Sequence, residues 1–107
     1  MFTCADSVSQ KEPLNGIFLK TMTWGDLMML VRFDLKAGSR VPEHAHPHEQ
    51  IGYLVEGSLQ LCIGAETVTA RPGDSWCIPA HTKHSATAES DCVAIEVFSP
   101  VRKDYLP

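Results

Sequence analysis

The sequence is short of basic residues and of long apolar runs, and each shortage excludes a class of protein. Nine Lys and Arg residues stand against 13 Asp and Glu residues in a chain of 107, which gives a net charge of −4. Such a chain has no surplus of positive charge with which to neutralise nucleic-acid or membrane phosphates. The longest apolar run, Leu27 to Val31, is far shorter than the ~20 residues of a membrane-spanning helix. We therefore expect no nucleic-acid partner and no membrane segment.

The chain also lacks paired-cysteine spacings and a secretion signal. Cys4, Cys62, Cys77 and Cys92 form no C-x-x-C or other zinc-binding pattern. The last three lie in apolar, strand-like runs, which favours buried free thiols that pack as small hydrophobic groups over a lone reactive or pairing thiol. The amino terminus, MFTCADSVSQKEP, has no basic start followed by an apolar stretch. We therefore expect a cytoplasmic protein without disulfides.

The length and the spacing of turn residues predict one all-β domain over residues 1–107. A chain of this size buries one core, and its polar first 15 residues, interrupted by Pro13, predict an irregular N-terminal arm. From residue 16 onward, runs of strand formers alternate with Gly and Pro turns, and no window has apolar residues at the helical spacing of 3.6. The predicted strands cover residues 17–24, 27–35, 51–55, 59–63, 67–70, 75–78, 84–88 and 92–98. Many short strands of this kind are typical of a barrel or a double sheet.

Two of the predicted strands are apolar on both faces. Residues 51–55 (IGYLV) and 93–98 (VAIEVF) place apolar side chains at odd and at even positions. A sheet with one face in water should alternate between apolar and polar residues, so the second apolar face should be covered. We predict that a second copy of the chain covers it in a homodimer.

The chemistry of the chain concentrates in residues 38–57, GSRVPEHAHPHEQIGYLVEG. His44 and His46 are two positions apart, so an extended strand would project both imidazoles from the same face, as a shared metal ion requires. An oxygen donor follows at Glu49 or Gln50, and strand parity alone does not decide between the two. A distant histidine, His84, follows the turn-rich segment PGDSWCIPAHTKH. This order of residues predicts a metal site.

The same residues resemble the two sequence motifs of the cupin family. Residues 38–57 follow the first motif, Gly-x5-His-x-His-x3-Gln-x6-Gly, and residues 72–84 follow the second, from PGD through IPA to the final histidine. The resemblance implies an all-β, double-stranded β-helix (jelly-roll) cupin barrel with one divalent metal ion near its mouth. The implied ligands are His44, His46, Gln50 and His84. Three nitrogens and one oxygen suit zinc, nickel, iron, manganese or cobalt.

The chain departs from the cupin pattern at two positions. Gln50 stands where the pattern has a Glu ligand, so the ligands leave the ion's double charge uncompensated and the site should favour an anionic ligand. His81 stands near the position after Pro79 where a glycine is expected. His48 and His81 fall outside the ligand positions, and we expect them to be exposed or to support the ligands indirectly.

The stretch HAHPHEQIGYLVEG and the ending EVFSPVRKDYL are similar to the pectin-degradation (KdgF-type) cupins. In that group, small metal-dependent proteins promote ring opening of 4,5-unsaturated monouronates from pectin and alginate breakdown. The Asp, Phe and Arg of the family's active site carry over to Glu96, Phe98 and Arg102. The resemblance implies an isomerase-type enzyme for a small anionic sugar acid. Glu96 would act as acid and base, Phe98 would pack on the sugar ring and Arg102 would bind the carboxylate.

Two other functions use the same residues. A metal-dependent dioxygenase or another small isomerase would need the same ligands, and oxygen consumption by iron-loaded protein would identify the dioxygenase. A non-catalytic sugar- or metal-binding cupin would show no turnover with any metal. In that protein, Glu96→Gln would leave ligand affinity largely intact.

Overall fold

A computed structural model describes all 107 residues, and its regular elements are ten strands and two short 3₁₀ segments. None of its helical segments is long and apolar enough to span a membrane. The strands are β1 (Lys11–Leu14), β2 (Ile17–Trp24), β3 (Met29–Leu35), β4 (Arg40–His44), β5 (Glu49–Glu56), β6 (Leu59–Ile63), β7 (Glu66–Ala70), β8 (Ser75–Ile78), β9 (His84–Ala88) and β10 (Cys92–Ser99). The 3₁₀ segments cover Ala5–Ser7 and Lys103–Tyr105.

The strands form two antiparallel sheets that enclose one core. The larger sheet has the order β1-β2-β3-β10-β5-β8 and the smaller one β4-β9-β6-β7. Buried and half-buried residues alternate strictly along β3, which is the period-2 pattern of a strand with one face on the core. The core includes Ile17, Leu19, Val31, Leu54, Ile78 and Phe98. The predicted all-β jelly-roll barrel is confirmed.

Most of the predicted strand limits are close to those observed. In the hairpin of β2 and β3, the run of apolar residues predicted a longer second strand than the structure has. The second predicted strand of this hairpin began at Leu27, but β3 begins at Met29. The amide of Gly25 donates to the carbonyl of Met28 at 2.9 Å, which closes a loop over residues 25–28. Leu27 and Met28 are therefore exposed, although both are apolar.

The prediction of an irregular arm over residues 1–15 is wrong for residues 11–14. Residues Lys11–Leu14 form β1, which pairs antiparallel with β2 at the edge of the larger sheet. Pro13 fits there because one side of an edge strand needs no backbone donor. All four residues of β1 are exposed, so this segment lies outside the core, as expected.

The four cysteines are free, as predicted, but the prediction that three of them are buried is wrong for two. Cys92 is buried, Cys62 is half-buried and Cys77 is exposed. In β8 the residues on either side of Cys77 point into the barrel, so Cys77 points outward. The three apolar residues Trp76, Cys77 and Ile78 are consecutive, so the sequence did not reveal which parity faced the core.

The outer face of the larger sheet carries a strip of exposed apolar side chains. Ile51 and Tyr53 of β5 are 52% and 49% exposed, and Val55 follows at 43%. Across the sheet Ile51 pairs with Val97 and Tyr53 pairs with Ile95, so the apolar surface continues onto β10. This outer strip is the second apolar face that the sequence pattern predicted.

Gly52 lies against the indole ring of Trp76 and leaves no room for a side chain. A Cβ atom on Gly52 would lie 2.1 Å from Cε2 of Trp76, whereas a Cβ on Gly25 would meet nothing within 4 Å. We expect Gly52→Ala to lower the free energy of unfolding by about 3 kcal/mol, because the indole must move. Gly25→Ala is the matched control and should have a far smaller effect. Denaturant unfolding of both variants checks this, and equal losses of stability would refute the steric explanation.

Candidate metal centre

Three histidines meet where two strands of the smaller sheet pair. His44 ends β4 and His84 begins β9, and these two residues are direct partners in the antiparallel register. Their ring centroids lie 4.1 Å apart, and the ring of His46 lies 4.8 Å from that of His84. Each of the three offers a nitrogen within 4.8 Å of the others. His46 follows the end of β4, so the expected placement of His44 and His46 on one strand is wrong, although the rings still converge.

The hydrogen bonds of the three rings leave one lone pair of each pointing into the cluster. Each Nδ1 faces a backbone carbonyl oxygen, which only accepts, so each Nδ1 carries a hydrogen, and in the neutral ring Nε2 keeps its lone pair. Nε2 of His84 is buried and has no hydrogen-bond partner. The Nδ1 partners are the carbonyls of Pro42 for His44 at 2.9 Å, of His48 for His46 at 3.0 Å, and of Thr82 for His84 at 2.8 Å.

Burial also keeps two of these imidazoles neutral. The loss of solvent lowers the pKa of His46, and the nearby positive charge of Arg102 lowers it further. Burial likewise lowers the pKa of His84, although a hydrogen bond to the Thr82 carbonyl opposes the shift. A metal ion binds the neutral ring, so protons compete for these nitrogens only below the usual histidine range.

Gln50 on β5 adds a side-chain oxygen to the three histidine nitrogens, and no hydrogen lies between this oxygen and the nearest nitrogen. Its side chain is buried, and its amide nitrogen donates to Oε1 of Glu96 at 2.6 Å. That bond turns the amide oxygen towards His46, 3.1 Å from Nε2. Nε2 of His46 and Oε1 of Gln50 are then both electron-pair donors, and a cation between them would satisfy both. Glu49 is exposed, so Gln50 is the one of the two candidate oxygen donors that faces the site.

Glu96 lies on the inner face of β10 with one carboxylate oxygen held and the other free. Oε1 accepts hydrogen bonds from Gln50 at 2.6 Å and from the indole nitrogen of Trp76 at 3.0 Å. No side-chain or backbone group of the protein donates to Oε2. Burial raises the pKa of Glu96 above its ordinary 4.5, and the donors together with the charge of Arg102 only partly oppose that shift.

Trp76 is a site residue that the sequence interpretation missed. Gly52 is paired with Trp76 on one side and with Glu96 on the other, so the three stand in one row across the sheet. The missing side chain of Gly52 lets the indole reach across to the carboxylate. A glycine in the middle of an apolar strand was the available signal, because it often marks a close approach of another group.

Phe98 lies beside the histidines, and Arg102 lies beside Phe98. Phe98 is 1% exposed and its ring centroid lies 6.0 Å from that of His46. The guanidinium carbon of Arg102 lies 5.2 Å from the centre of the Phe98 ring. The side chain of Arg102 is 13% exposed and is paired with Asp104 at 2.9 Å.

The two remaining histidines support the site from outside the cluster. The backbone carbonyl of His48 receives the hydrogen of His46 Nδ1, and the backbone amide of His81 donates to the His46 carbonyl at 2.7 Å. His81 is exposed and has a left-handed φ of 64°. Glycine adopts that conformation without strain, which explains why the cupin pattern has a glycine near this position.

A cavity of about 110 Å³ opens inside the barrel between this polar cluster and an apolar wall. His44, Gln50, His84, Glu96 and Arg102 form its polar side. Its apolar side includes Phe33, Leu61, Trp76, Ile78, Ala94 and Phe98. A few convergent polar groups in a mostly apolar cavity are typical of a small-molecule site.

This architecture is that of the cupins: a jelly-roll barrel in which histidines at the ends of two neighbouring strands lie close together. The family model described as "Cupin domain" matches residues 31–98, which contain the three histidines, Gln50 and Glu96. The chain belongs to the cupin family and, within it, to the KdgF type, as two of the following relatives indicate.

The pectin degradation protein KdgF of Dickeya dadantii is 32% identical in an alignment of 103 residues that covers 94% of this chain and 94% of its own. The solved structure of KdgF from Halomonas sp. is 32% identical, covers 99% of this chain and 98% of its own, and superposes with a TM-score of 0.92. An RmlC-like cupin from Shewanella frigidimarina is 26% identical, with coverages of 98% and 95% and a TM-score of 0.93. The similarity extends over essentially the whole barrel in all three cases.

Proposed function

We propose that this protein is a metal-dependent isomerase that opens the ring of a 4,5-unsaturated monouronate. The observation that carries the proposal is the Glu96 carboxylate at the cavity, whose Oε1 is fixed by Gln50 and Trp76 while Oε2 has no protein donor. The similarity of the chain to a pectin degradation protein supports a uronate as the substrate class. The cationic guanidinium of Arg102 supports an anionic ligand.

We propose His44, His46, Gln50 and His84 as the ligands of one divalent ion. The Nε2 lone pairs and the amide oxygen of Gln50 fit a cation, and imidazole and amide groups bind a metal ion in their uncharged form. When bound, the ion supplies Lewis-acid polarisation of a substrate oxygen. The ligands cancel none of its charge, which favours a carboxylate-bearing substrate over a neutral sugar.

The residues around the cavity can carry out the proton transfers of ring opening. Arg102 pairs with the substrate carboxylate, and Phe98 packs against the sugar ring. Glu96 Oε2 removes the proton of the C1 hydroxyl while the bond between C1 and the ring oxygen breaks. The products of this step are an aldehyde at C1 and an enolate at C5. Glu96 then delivers the proton to C4, which leaves a ketone at C5, so the net change is an isomerisation without a co-reactant.

The raised pKa of Glu96 suits both halves of this reaction. A carboxyl group that must first accept and then donate a proton works best when its pKa lies near the operating pH. Burial moves the pKa of Glu96 in that direction from its ordinary 4.5. The hydrogen bond from Trp76 therefore fixes the position of the carboxylate, and burial raises its pKa.

Mixing metal-loaded protein with unsaturated galacturonate tests the proposed reaction. The absorbance of the conjugated double bond should disappear faster than it does spontaneously. The same mixture, with iron as the metal, should consume no oxygen. A decay equal to the spontaneous one would overturn the claim for this substrate, and stoichiometric oxygen uptake would favour a dioxygenase.

We also propose that two copies of the chain associate through the outer strip of the larger sheet. Ile51 is half-exposed and stands between Val97 and Cys77 in the register, near the centre of the apolar surface. We expect Ile51→Lys to convert a dimer into monomers, because a buried unpaired charge is costly. Val68→Lys, at an exposed valine on the smaller sheet, is the control and should leave the dimer intact. Sedimentation equilibrium at micromolar concentration decides, and a monomeric wild-type protein would contradict the proposal.

A further inference from the structure

The guanidinium of Arg102 is held in place at the cavity before any ligand binds. Its carbon lies 3.9 Å from the centre of the Tyr105 ring, which is stacking distance for a cation on an aromatic face. Nε and Nη2 donate to the carboxylate of Asp104 at 3.4 and 2.9 Å. Nη1 donates to no protein group, so one edge of the guanidinium stays available to a ligand.

Tyr105 is the better anchored of these two partners. Its ring packs edge-on against Phe33 and Phe98, with centroids 6.0 and 5.6 Å apart. Its backbone carbonyl accepts a hydrogen bond of 2.5 Å from the hydroxyl of Thr21, which is buried on β2. The side chain of Asp104 is 60% exposed, and an ion pair in that setting holds little in place because water screens it.

We propose that Tyr105, anchored by Thr21, is a positioning residue that orients Arg102 for the carboxylate of the substrate. This inference rests on the proposed function, in which Arg102 binds that carboxylate. A free arginine side chain must lose its rotamer freedom when it binds a ligand, whereas one already stacked on a ring has lost it in advance. The ring of Tyr105, which also lines the cavity, therefore strengthens substrate binding by holding Arg102 in place.

Steady-state kinetics of paired variants separate the ring from its hydroxyl. Tyr105→Leu removes the aromatic face, and KM for unsaturated galacturonate should rise roughly tenfold while kcat changes little. Tyr105→Phe keeps the face and should restore a KM close to that of the wild type. Asp104→Asn should raise KM less than Tyr105→Leu does. A larger rise in KM for the Asp104 variant would assign the positioning role to Asp104 and overturn the proposal.

A second pair of variants avoids the risk that Tyr105→Leu disturbs folding. Thr21→Val keeps the shape of the side chain but removes the hydrogen bond to Tyr105, and KM should rise about fivefold. Thr23→Val, at an exposed threonine of the same strand, is the control and should leave KM unchanged. An unchanged KM in Thr21→Val would overturn the anchoring step.

Nuclear magnetic resonance of the arginine Nε–Hε groups measures the positioning without turnover. The chain has four arginines, Arg32, Arg40, Arg71 and Arg102, and the variant Arg102→Lys assigns the last signal. Hydrogen exchange at the Nε–Hε group of Arg102 should be slow in the wild type and in Tyr105→Phe. It should be roughly tenfold faster in Tyr105→Leu. Exchange that is equally slow in all three would overturn the proposal. If the wild type opens no uronate but this exchange pattern appears, the proposed function fails and the positioning of Arg102 by Tyr105 is supported.

Discussion

His84→Ala is expected to lower the affinity of the protein for a divalent metal by at least ~100-fold, because it removes an entire ligand rather than an outer partner of one. His84 begins β9 opposite His44, and its buried Nε2 has no protein partner. Its Nδ1 is occupied by the Thr82 carbonyl, so Nε2 is the nitrogen that this ring offers to a metal ion. Calorimetric titration with zinc, together with elemental analysis of the purified variant, measures the loss.

His48→Ala is the matched control for this prediction. His48 lies beside the cluster, with its ring centroid 5.4 Å from that of His46, but supports that residue through its backbone carbonyl. Alanine keeps that carbonyl, so the variant should bind zinc as the wild type does. Loss of the metal in His48→Ala, or its retention in His84→Ala, would contradict the ligand set.

Glu96→Gln is expected to reduce kcat by about 10² to 10⁴-fold while the metal affinity stays within severalfold of wild type. A glutamine at this position still offers an amide oxygen to the nitrogens of Gln50 and Trp76, which keeps both observed hydrogen bonds. Its amide nitrogen replaces the free Oε2, so the side chain has no atom that takes up the C1 proton. The variant therefore removes proton transfer without dismantling the metal site.

The pH dependence of kcat offers a second measurement on the same residue. Because burial raises the pKa of Glu96, turnover should fall as the pH decreases through a value above the ordinary 4.5, where the carboxylate becomes protonated. Glu96→Asp, which restores the acid of the KdgF pattern on a shorter side chain, should recover part of the activity. If Glu96→Gln turned over at the wild-type rate, Glu96 would not be the acid and base.

The sequence motifs predicted the barrel and its histidines because both depend on local spacing. Glycine turns and apolar runs determine where strands begin and end. The cupin spacing favoured Gln50 over Glu49 as the oxygen donor, and Gln50 is the buried residue of the two. The edge strand β1 was missed because its residues are polar and all exposed, so no alternation marks it. The orientation of Cys77 was missed because it lies between two apolar residues, Trp76 and Ile78, so no alternation marks the inward face.

The contacts between distant strands could not be predicted from the sequence. Trp76 reaches Glu96 only because β5 separates their strands with a glycine, Gly52, at the register position between them. Tyr105 stacks on Arg102 because Thr21 of β2 holds the chain end in place. Residue periodicity shows which face a side chain occupies, but it contains no information about the partner across the sheet.

The most direct test of the proposed metal centre and its reaction is a titration of metal-stripped protein with one divalent ion while ring opening is followed. The initial rate with unsaturated galacturonate should rise in proportion to added metal and stop rising at one ion per chain. His84→Ala should show no such rise under the same conditions. Stripped protein that already turns over at the full rate, or a rate equal to the spontaneous one at every ratio, would contradict a catalytic metal centre formed by His44, His46, Gln50 and His84.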